Sequence, residues 1–409
     1  MGALWVMTEL LEGELNVMFA GIDWGGYHHQ LCILDPGGQR MIERRFAHDR
    51  AGLIELRNTL AAHAPLPIAV ERSEGLLVES LLDWGHQVFP VSPRISARAR
   101  ERYRVASSKD DMFDAFVLAD SLRHEHLHWR PLVAPSPELA ELKALVRDRV
   151  RIMELQQVVE AQLRATLDTY HPAPAALFTS IDRQITLDFI RDYPNPRAAA
   201  HIADARMDQF LSRHNYRGRQ PASLLTERLR VHLLEAGPGT TAARQRTALA
   251  QVEQLEMFNR QLKDFTKTID TVLRRHPDHQ LFLSFPGVAS TTAATLLAEI
   301  GEDRNRFPQA AHLLAEAGLA PVTRASGRST RVRFRYAANN HLREAFMWWA
   351  FTSIRINPWA RAGYEAAKAR GQHHHRALRG TSARWGRVLW RCWQDGTPYD
   401  PMKHLSATN

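Results

Sequence analysis

The 409-residue sequence predicts an α/β domain followed by a mostly helical remainder. Three observations carry that expectation. Short apolar runs of strand length alternate with helical patterns up to about residue 130. Beyond Ser136 apolar residues recur three and four positions apart, the period of a helix face. Hydrophobic residues make up 44% of the chain, ample for two or three separate cores.

The first domain is expected over residues 17–130. Val17–Ile22 (VMFAGI) is a short apolar strand, and His29–Leu34 is a second. The turn Asp35-Pro36-Gly37-Gly38 leads into a third, Arg40–Phe46, so the three form a hairpin meander. A helix follows from Ala51 to about His63, then the strand Pro67–Glu71, a helix over Leu76–Trp84, the strand Gln87–Val91, and mostly helix from Ser96 to His126. Three strands, a helix, then alternating strands and helices is the order of a ribonuclease-H-like fold.

Residues 131–275 read as a helical arm. One long helix spans about Leu139–Leu167. Another carries Leu255, Phe258, Leu262, Phe265, Ile269 and Val272, an a/d seam for coiled-coil packing. Between them, 171–245 holds several prolines and Gly237-Pro238-Gly239, and reads as an irregular helical insertion. Residues 276–365 form a second compact, largely helical domain, in which the Pro286-Gly287 turn precedes an Ala-rich helix. Such a turn can aim backbone N–H groups at a phosphate, as in helix-hairpin-helix elements, or simply join two helices. Residues 366–409 are a basic tail in which Arg376, Arg379, Arg384, Arg387 and Arg391 interleave with Trp385, Trp390 and Trp393. That pattern suits either a nucleic-acid contact or an amphipathic helix.

The net charge of +9 favours a polyanionic partner, most often nucleic acid. Cys32 and Cys392 make no disulfide framework and sit in no metal-spaced cluster, which fits a reducing cytoplasm. No apolar run reaches the length that spans a bilayer. Residues 1–16 read as a short leader without the basic region or cleavage site of a signal peptide, and Met7 and Met18 are alternative starts.

Asp23 (in GIDWG) and Glu71 (in AVERSEG) each close an apolar strand, where a rigidly held carboxylate can serve a hard cation or act as a turn acid. SSKDDMFDA adds three more carboxylates. On a helix, Asp110 and Asp114 share a face, and so do Asp111 and Asp114, so spacing leaves the pair open. In TRVRFRY, Val332, Phe334 and Tyr336 alternate with Arg331, Arg333 and Arg335, and period two puts three guanidiniums on one face of a strand. With Arg324 and Arg328 they suit a phosphate backbone. The string His124-Glu125-His126-Leu127-His128 matches the zinc-protease pattern only formally, because Pro131 follows at once and no third ligand stands at a recognised spacing. His373-His374-His375 reads as a solvated or phosphate-contacting loop.

GIDWG, AVERSEG and KDDMFDA together resemble the DEDD signature of the RuvC-like domain in the insertion-sequence one-ten family of transposases. That family's last element is Lys-x-Asp-x-x-Asp-Ala, which maps onto Lys109, Asp111, Asp114 and Ala115 and leaves Asp110 variable. The resemblance implies Asp23, Glu71, Asp111 and Asp114 as ligands of Mg²⁺, two ions in all. FPGVASTTAATLLAEIG, FPQAAHLLAEAGLAP and RASGRSTR are similar to the family's transposase domain, which implies Ser326 as nucleophile, with Ser329 the neighbouring alternative. Two departures stand out: Ala289 replaces the hairpin's usual second glycine, and the 171–245 region is enlarged.

What the resemblance implies is a DNA recombinase acting on donor and target DNA, guided by a structured RNA of its element. It also implies a homodimer or homotetramer, with the two catalytic domains sharing a composite site. Two readings stand beside it: a RuvC-like junction nuclease using a metal-activated water, and a non-catalytic nucleic-acid-binding protein.

Overall fold

The computed structural model describes residues 17–64, 66–103, 110–218, 220–326 and 329–402. The expected leader, Lys109 and Arg328 therefore lie outside the described residues. The chain divides after Ala134 into two compact units.

The first unit is a five-stranded mixed sheet, β1 (Phe19–Trp24), β2 (His28–Leu34), β3 (Arg40–Ala47), β4 (Pro67–Val70) and β5 (Gln87–Pro90), in the order β3-β2-β1-β4-β5. The first three strands are antiparallel, while β4 runs parallel to β1 and β5 parallel to β4. This arrangement is compatible with the expected ribonuclease-H-like domain. β1 extends two residues beyond the expected strand because Asp23 and Trp24 pair with Gln30 and His29. Cross-strand pairing, rather than apolar content, sets where it stops.

Helices α1 (Arg50–Ala61) and α2 (Leu76–Asp83) bury Leu56, Leu60, Leu77 and Leu81 against one sheet face, with Ala20, Ile22, Leu31 and Ile33. The segment expected to be mostly helical from Ser96 contains two helices, α3 (Pro93–Arg100) and α4 (Asp111–Glu125). α4 covers the other sheet face, where Leu118 and Leu122 pack with Phe19 and Ala69, and Ala115 and Ala119 with Cys32 and Leu34.

Gly21 makes that packing possible. A Cβ there would lie 2.2 Å from the Ala115 carbonyl oxygen and 2.4 Å from the Ala119 nitrogen. The α4 backbone thus rests directly on β1.

In the second unit, α5 (Pro137–Asp168) and α11 (Pro238–Arg275) run antiparallel: Arg275 pairs with Glu141, Arg149 Nε donates to Thr266 Oγ1 at 3.2 Å, and Gln156 Nε2 to Asn259 Oδ1 at 2.8 Å. Of the expected seam, Leu255, Ile269 and Val272 are buried, while Phe258, Leu262 and Phe265 are half-buried. The enlarged region between these helices has its own apolar core. It packs α6 (Ala173–Leu177), α7 (Gln184–Asp192), the single turn α8 (Pro196–Ala199), α9 (Asp204–Arg213) and α10 (Ala222–Val231) around Phe189, Phe210 and Leu225.

The rest of the unit comprises α12 (His279–Leu283), α13 (Ser290–Ile300), α14 (Ala310–Glu316), the hairpin β6 (Val322–Ser326) and β7 (Ser329–Arg333), α15 (Asn340–Ile356), α16 (Pro358–Ala369) and α17 (His374–Asp395). Trp349 and Trp385 stack with centroids 4.9 Å apart, and both are fully buried with Trp393. Trp385 Nε1 donates to Ser353 Oγ at 2.9 Å and Trp390 Nε1 to the Phe307 carbonyl at 2.7 Å. The segment read as a basic tail is thus largely the core helix α17, and its tryptophans serve packing. The Pro286-Gly287 carbonyls accept hydrogen bonds from Trp349 Nε1 and Thr352 Oγ1, which ties that turn to α15. Among the described residues, no helix is long and apolar enough to cross a membrane.

Because the α4 backbone fills the space a side chain would need, Gly21→Ala should lower stability by about 1–3 kcal/mol through overpacking. Thermal unfolding measures this, and a melting temperature equal to the parent's would contradict the close packing of α4 on β1.

Candidate functional site

The strand register decides where the carboxylates fall. Ile22 pairs with Val70 across parallel strands, so Asp23 and Glu71 follow side by side at one sheet end. Phe19 and Ala69 face α4. Side chains alternate along a strand, so Asp23 and Glu71 face the α4 side as well.

α4 runs antiparallel to β1. Its C-terminal end lies over Phe19, whose ring centroid is 4.9 Å from that of His126, and its middle rests on Gly21. The N-terminal turn of α4 therefore reaches the end of β1 that carries Asp23. Asp111 shares a helical stripe with Ala115 and Ala119, and Asp114 shares one with Leu118 and Leu122. Two strand ends and one helix start thus bring Asp23, Glu71, Asp111 and Asp114 to the same end of the sheet.

Asp110 has a different task. Its backbone is extended (φ −143°, ψ 113°), and its side chain accepts a hydrogen bond from the Met112 N–H at 3.2 Å as the helix N-cap. The spacing that made it a candidate presumes a helix that already includes it, whereas α4 begins one residue later.

Arg100 and Ser96, one turn apart on α3, were not singled out by sequence. Arg100 Nε donates to Asp114 Oδ1 at 2.6 Å and its Nη2 to Glu71 Oε1 at 3.2 Å. Ser96 Oγ also donates to Glu71. Asp114 is only 3% exposed, so the guanidinium is the counter-charge that permits its burial. The signal available in the sequence was the four-residue spacing within PRISARAR.

Gln30, opposite Asp23 in the register, is buried, and its Nε2 has no hydrogen-bond partner among the described residues. Four carboxylates offer the hard oxygen ligands that Mg²⁺ takes, so their chemical type fits such an ion. Arg100 is the cation seen between two of them. Among the described residues, no three His, Cys, Asp or Glu side chains stand close enough together to hold a metal. The formal zinc string leaves the helix, since α4 ends at Glu125 and His126 is its C-cap.

In the second unit, Ser326 ends β6 opposite Ser329, and Arg324 lies opposite Arg331. Residues directly opposite or two apart share a face, so Ser326, Ser329, Arg331 and Arg333 point the same way. Every residue of β7 is exposed, including Val332 at 68%. The expected apolar face is therefore not packed, and Phe334 and Tyr336 lie beyond the strand. Arg335 turns inward, its Nε donating to the Ala320 carbonyl at 3.3 Å.

Comparison with known proteins bears on both regions. Residues 20–172 match a family described as Transposase, of the DEDD type, and this stretch contains the four carboxylates. Residues 279–365 match the Transposase IS116/IS110/IS902 family and contain the hairpin. Transposases cut DNA and transfer its strands. The chain is 35% identical over 407 residues to the protein of the IS117 mini-circle of Streptomyces coelicolor, covering 96% of this chain and 97% of that one. It is 28% identical to the 42 kDa protein of insertion element IS900 of Mycobacterium paratuberculosis, over 95% of this chain and 99% of that one. The chain belongs to the IS110 family of insertion-sequence transposases.

Arg100→Gln should destabilise the protein by roughly 1.5–3 kcal/mol by removing the charge-assisted hydrogen bond from the guanidinium to Asp114. Mg²⁺ should then raise the melting temperature of the variant more than that of the parent. An equal response in both proteins would show that the guanidinium and the cation do not compete for these carboxylates.

Proposed function

We propose that the chain is a DNA recombinase that mobilises its insertion sequence through a metal-dependent acidic site and a serine nucleophile, guided by an RNA of the element. The observation that carries this reading is the convergence of Asp23, Glu71, Asp111 and Asp114 at one sheet end in a member of a transposase family. These four carboxylates would hold Mg²⁺, two ions in the proposed arrangement, and the metal would supply Lewis-acid polarisation of a phosphate oxygen.

Ser326 Oγ forms a bond to the phosphorus of a DNA phosphodiester as the bond from phosphorus to one deoxyribose oxygen breaks. The serine proton departs, and the leaving oxygen takes up a proton as a hydroxyl. Strand exchange repeats the step in reverse, with a hydroxyl of a different strand displacing the serine. Arg331 and Arg333 share the serine's face and supply charge-assisted hydrogen bonds to the phosphate backbone. Arg324 lies opposite Arg331 in the register, and Arg335 anchors the base of the hairpin through the Ala320 carbonyl. A net charge of +9 supports binding of both DNA and RNA backbones, leaving the choice of target to base pairing.

Ser326→Ala should remove the covalent protein–DNA adduct seen on denaturing gels and slow strand transfer by at least about 10³-fold. In the same assay, Asp111→Asn should abolish transfer while Asp110→Asn retains it. Cleavage by Ser326→Ala at the parent's rate, with no adduct in either protein, would favour a nuclease that uses water. RNA sequenced from the purified protein should contain a transcript of the element whose loops match the insertion junctions; its absence would remove the guide from the proposal.

A further inference from the structure

Three guanidiniums meet where the hairpin leaves its second strand. Phe334 is clamped between Arg343 of α15 and Arg379 of α17, with guanidinium carbons 4.8 and 4.9 Å from its ring centroid. Arg343 is fixed: its Nη2 donates to the Arg335 carbonyl at 2.9 Å and its Nη1 to Asn340 Oδ1 at 3.0 Å. Its Nε is buried with no hydrogen-bond partner among the described residues. Gly318 leaves the room this side chain needs, since a Cβ there would lie 2.3 Å from Arg343 Nη2. Arg376 stands one turn before Arg379 and is exposed.

Like charges crowd here without relief. Burial, and then the charges of Arg376 and Arg343, pull the Arg379 guanidinium below its ordinary value. Among the described residues, no ion pair joins Arg343, Arg376 or Arg379 to a carboxylate. An uncompensated cation cluster is unfavourable unless an anion completes it, and planar guanidinium forks match phosphate oxygens. Beside the cluster, Tyr336 meets Phe334 edge-on at 5.0 Å and is 81% exposed. An exposed ring held next to phosphate-seeking guanidiniums is the combination that binds an unpaired nucleotide, backbone on the arginines and base on the ring.

We infer that Arg343, Arg376, Arg379 and Tyr336 form a site for a single-stranded polynucleotide, which holds the strand at the base of the serine hairpin. The inference extends the proposed function to a strand-holding site and does not depend on serine chemistry. DNA and RNA present the same phosphates and stackable bases, so the test uses both.

Binding of the full-length protein to labelled single-stranded DNA, single-stranded RNA and duplex DNA, read by fluorescence anisotropy across a salt series, tests it. Arg376 is exposed and its side chain makes no hydrogen bond or ion pair among the described residues, so Arg376→Gln should leave the melting temperature unchanged. It should also lower the slope of log affinity against log salt on single strands by about 0.7. Tyr336→Ala should weaken single-strand binding roughly 5- to 100-fold and leave duplex binding alone. Loss on only one of the two single-stranded probes identifies the occupant as DNA or RNA. Parent-like affinity and salt slope in both variants, or a loss confined to duplex, would overturn the site. Ser326→Ala serves as the control: it should bind like the parent, so failure of the serine mechanism and failure of this site remain distinguishable.

Discussion

The absence of a side chain at Gly21 is the constraint on which the first unit depends. It lets the backbone of α4 settle on β1, with Ala115 and Ala119 over the glycine. From that contact the rest follows by geometry. The helix runs antiparallel to the strand, its first turn overhangs the strand's end, and Asp111 and Asp114 fall at the same end of the sheet as Asp23 and Glu71. The acids of that first turn also suit the positive end of the helix dipole. Two carboxylates are thereby kept in the first turn of a helix even before any cation is considered.

The second unit has an equivalent fixed point. Glu299 is buried, receives Arg147 Nε at 2.9 Å and Nη2 at 3.1 Å, and accepts from Asn339 Nδ2 at 2.7 Å. Burial pushes this carboxyl up, but the Arg147 and Asn339 hydrogen bonds outweigh it and hold it below the usual range. Arg147 belongs to α5, Glu299 to α13, and Asn339 caps α15. One carboxylate therefore joins the long helix pair, through its ion pair with Arg147, to the segment that emerges from the hairpin, through its hydrogen bond from Asn339.

Much of this was legible in the sequence where a pattern is local. The meander, the Asp35–Gly38 turn and the alternating strands and helices after it follow from apolar spacing and turn residues. Elements that depend on a partner were less visible. Asp110 looks like a helical residue until the helix is seen to start after it, because a capping acid and an interior acid are the same letter. Alternation in TRVRFRY announces a strand but not its end; Phe334 leaves the ladder because two arginines from distant helices hold its ring. The tryptophans of α17 read equally as stacking platforms or core, and only the burial of Trp385 and Trp393 against α15 and the Phe285 region decides. Arg100 escaped notice because its meaning lies in two carboxylates brought to it by the fold.

The β6–β7 hairpin has one more consequence. Every residue of its second strand is exposed, and Phe334 and Arg335 attach its base to the helices around the tryptophan core. Its tip can therefore differ in length, charge or sequence among relatives without disturbing the packed interior. The part of the chain that carries the serine is thus also a replaceable one, a module that could be exchanged between elements while the scaffold stays the same.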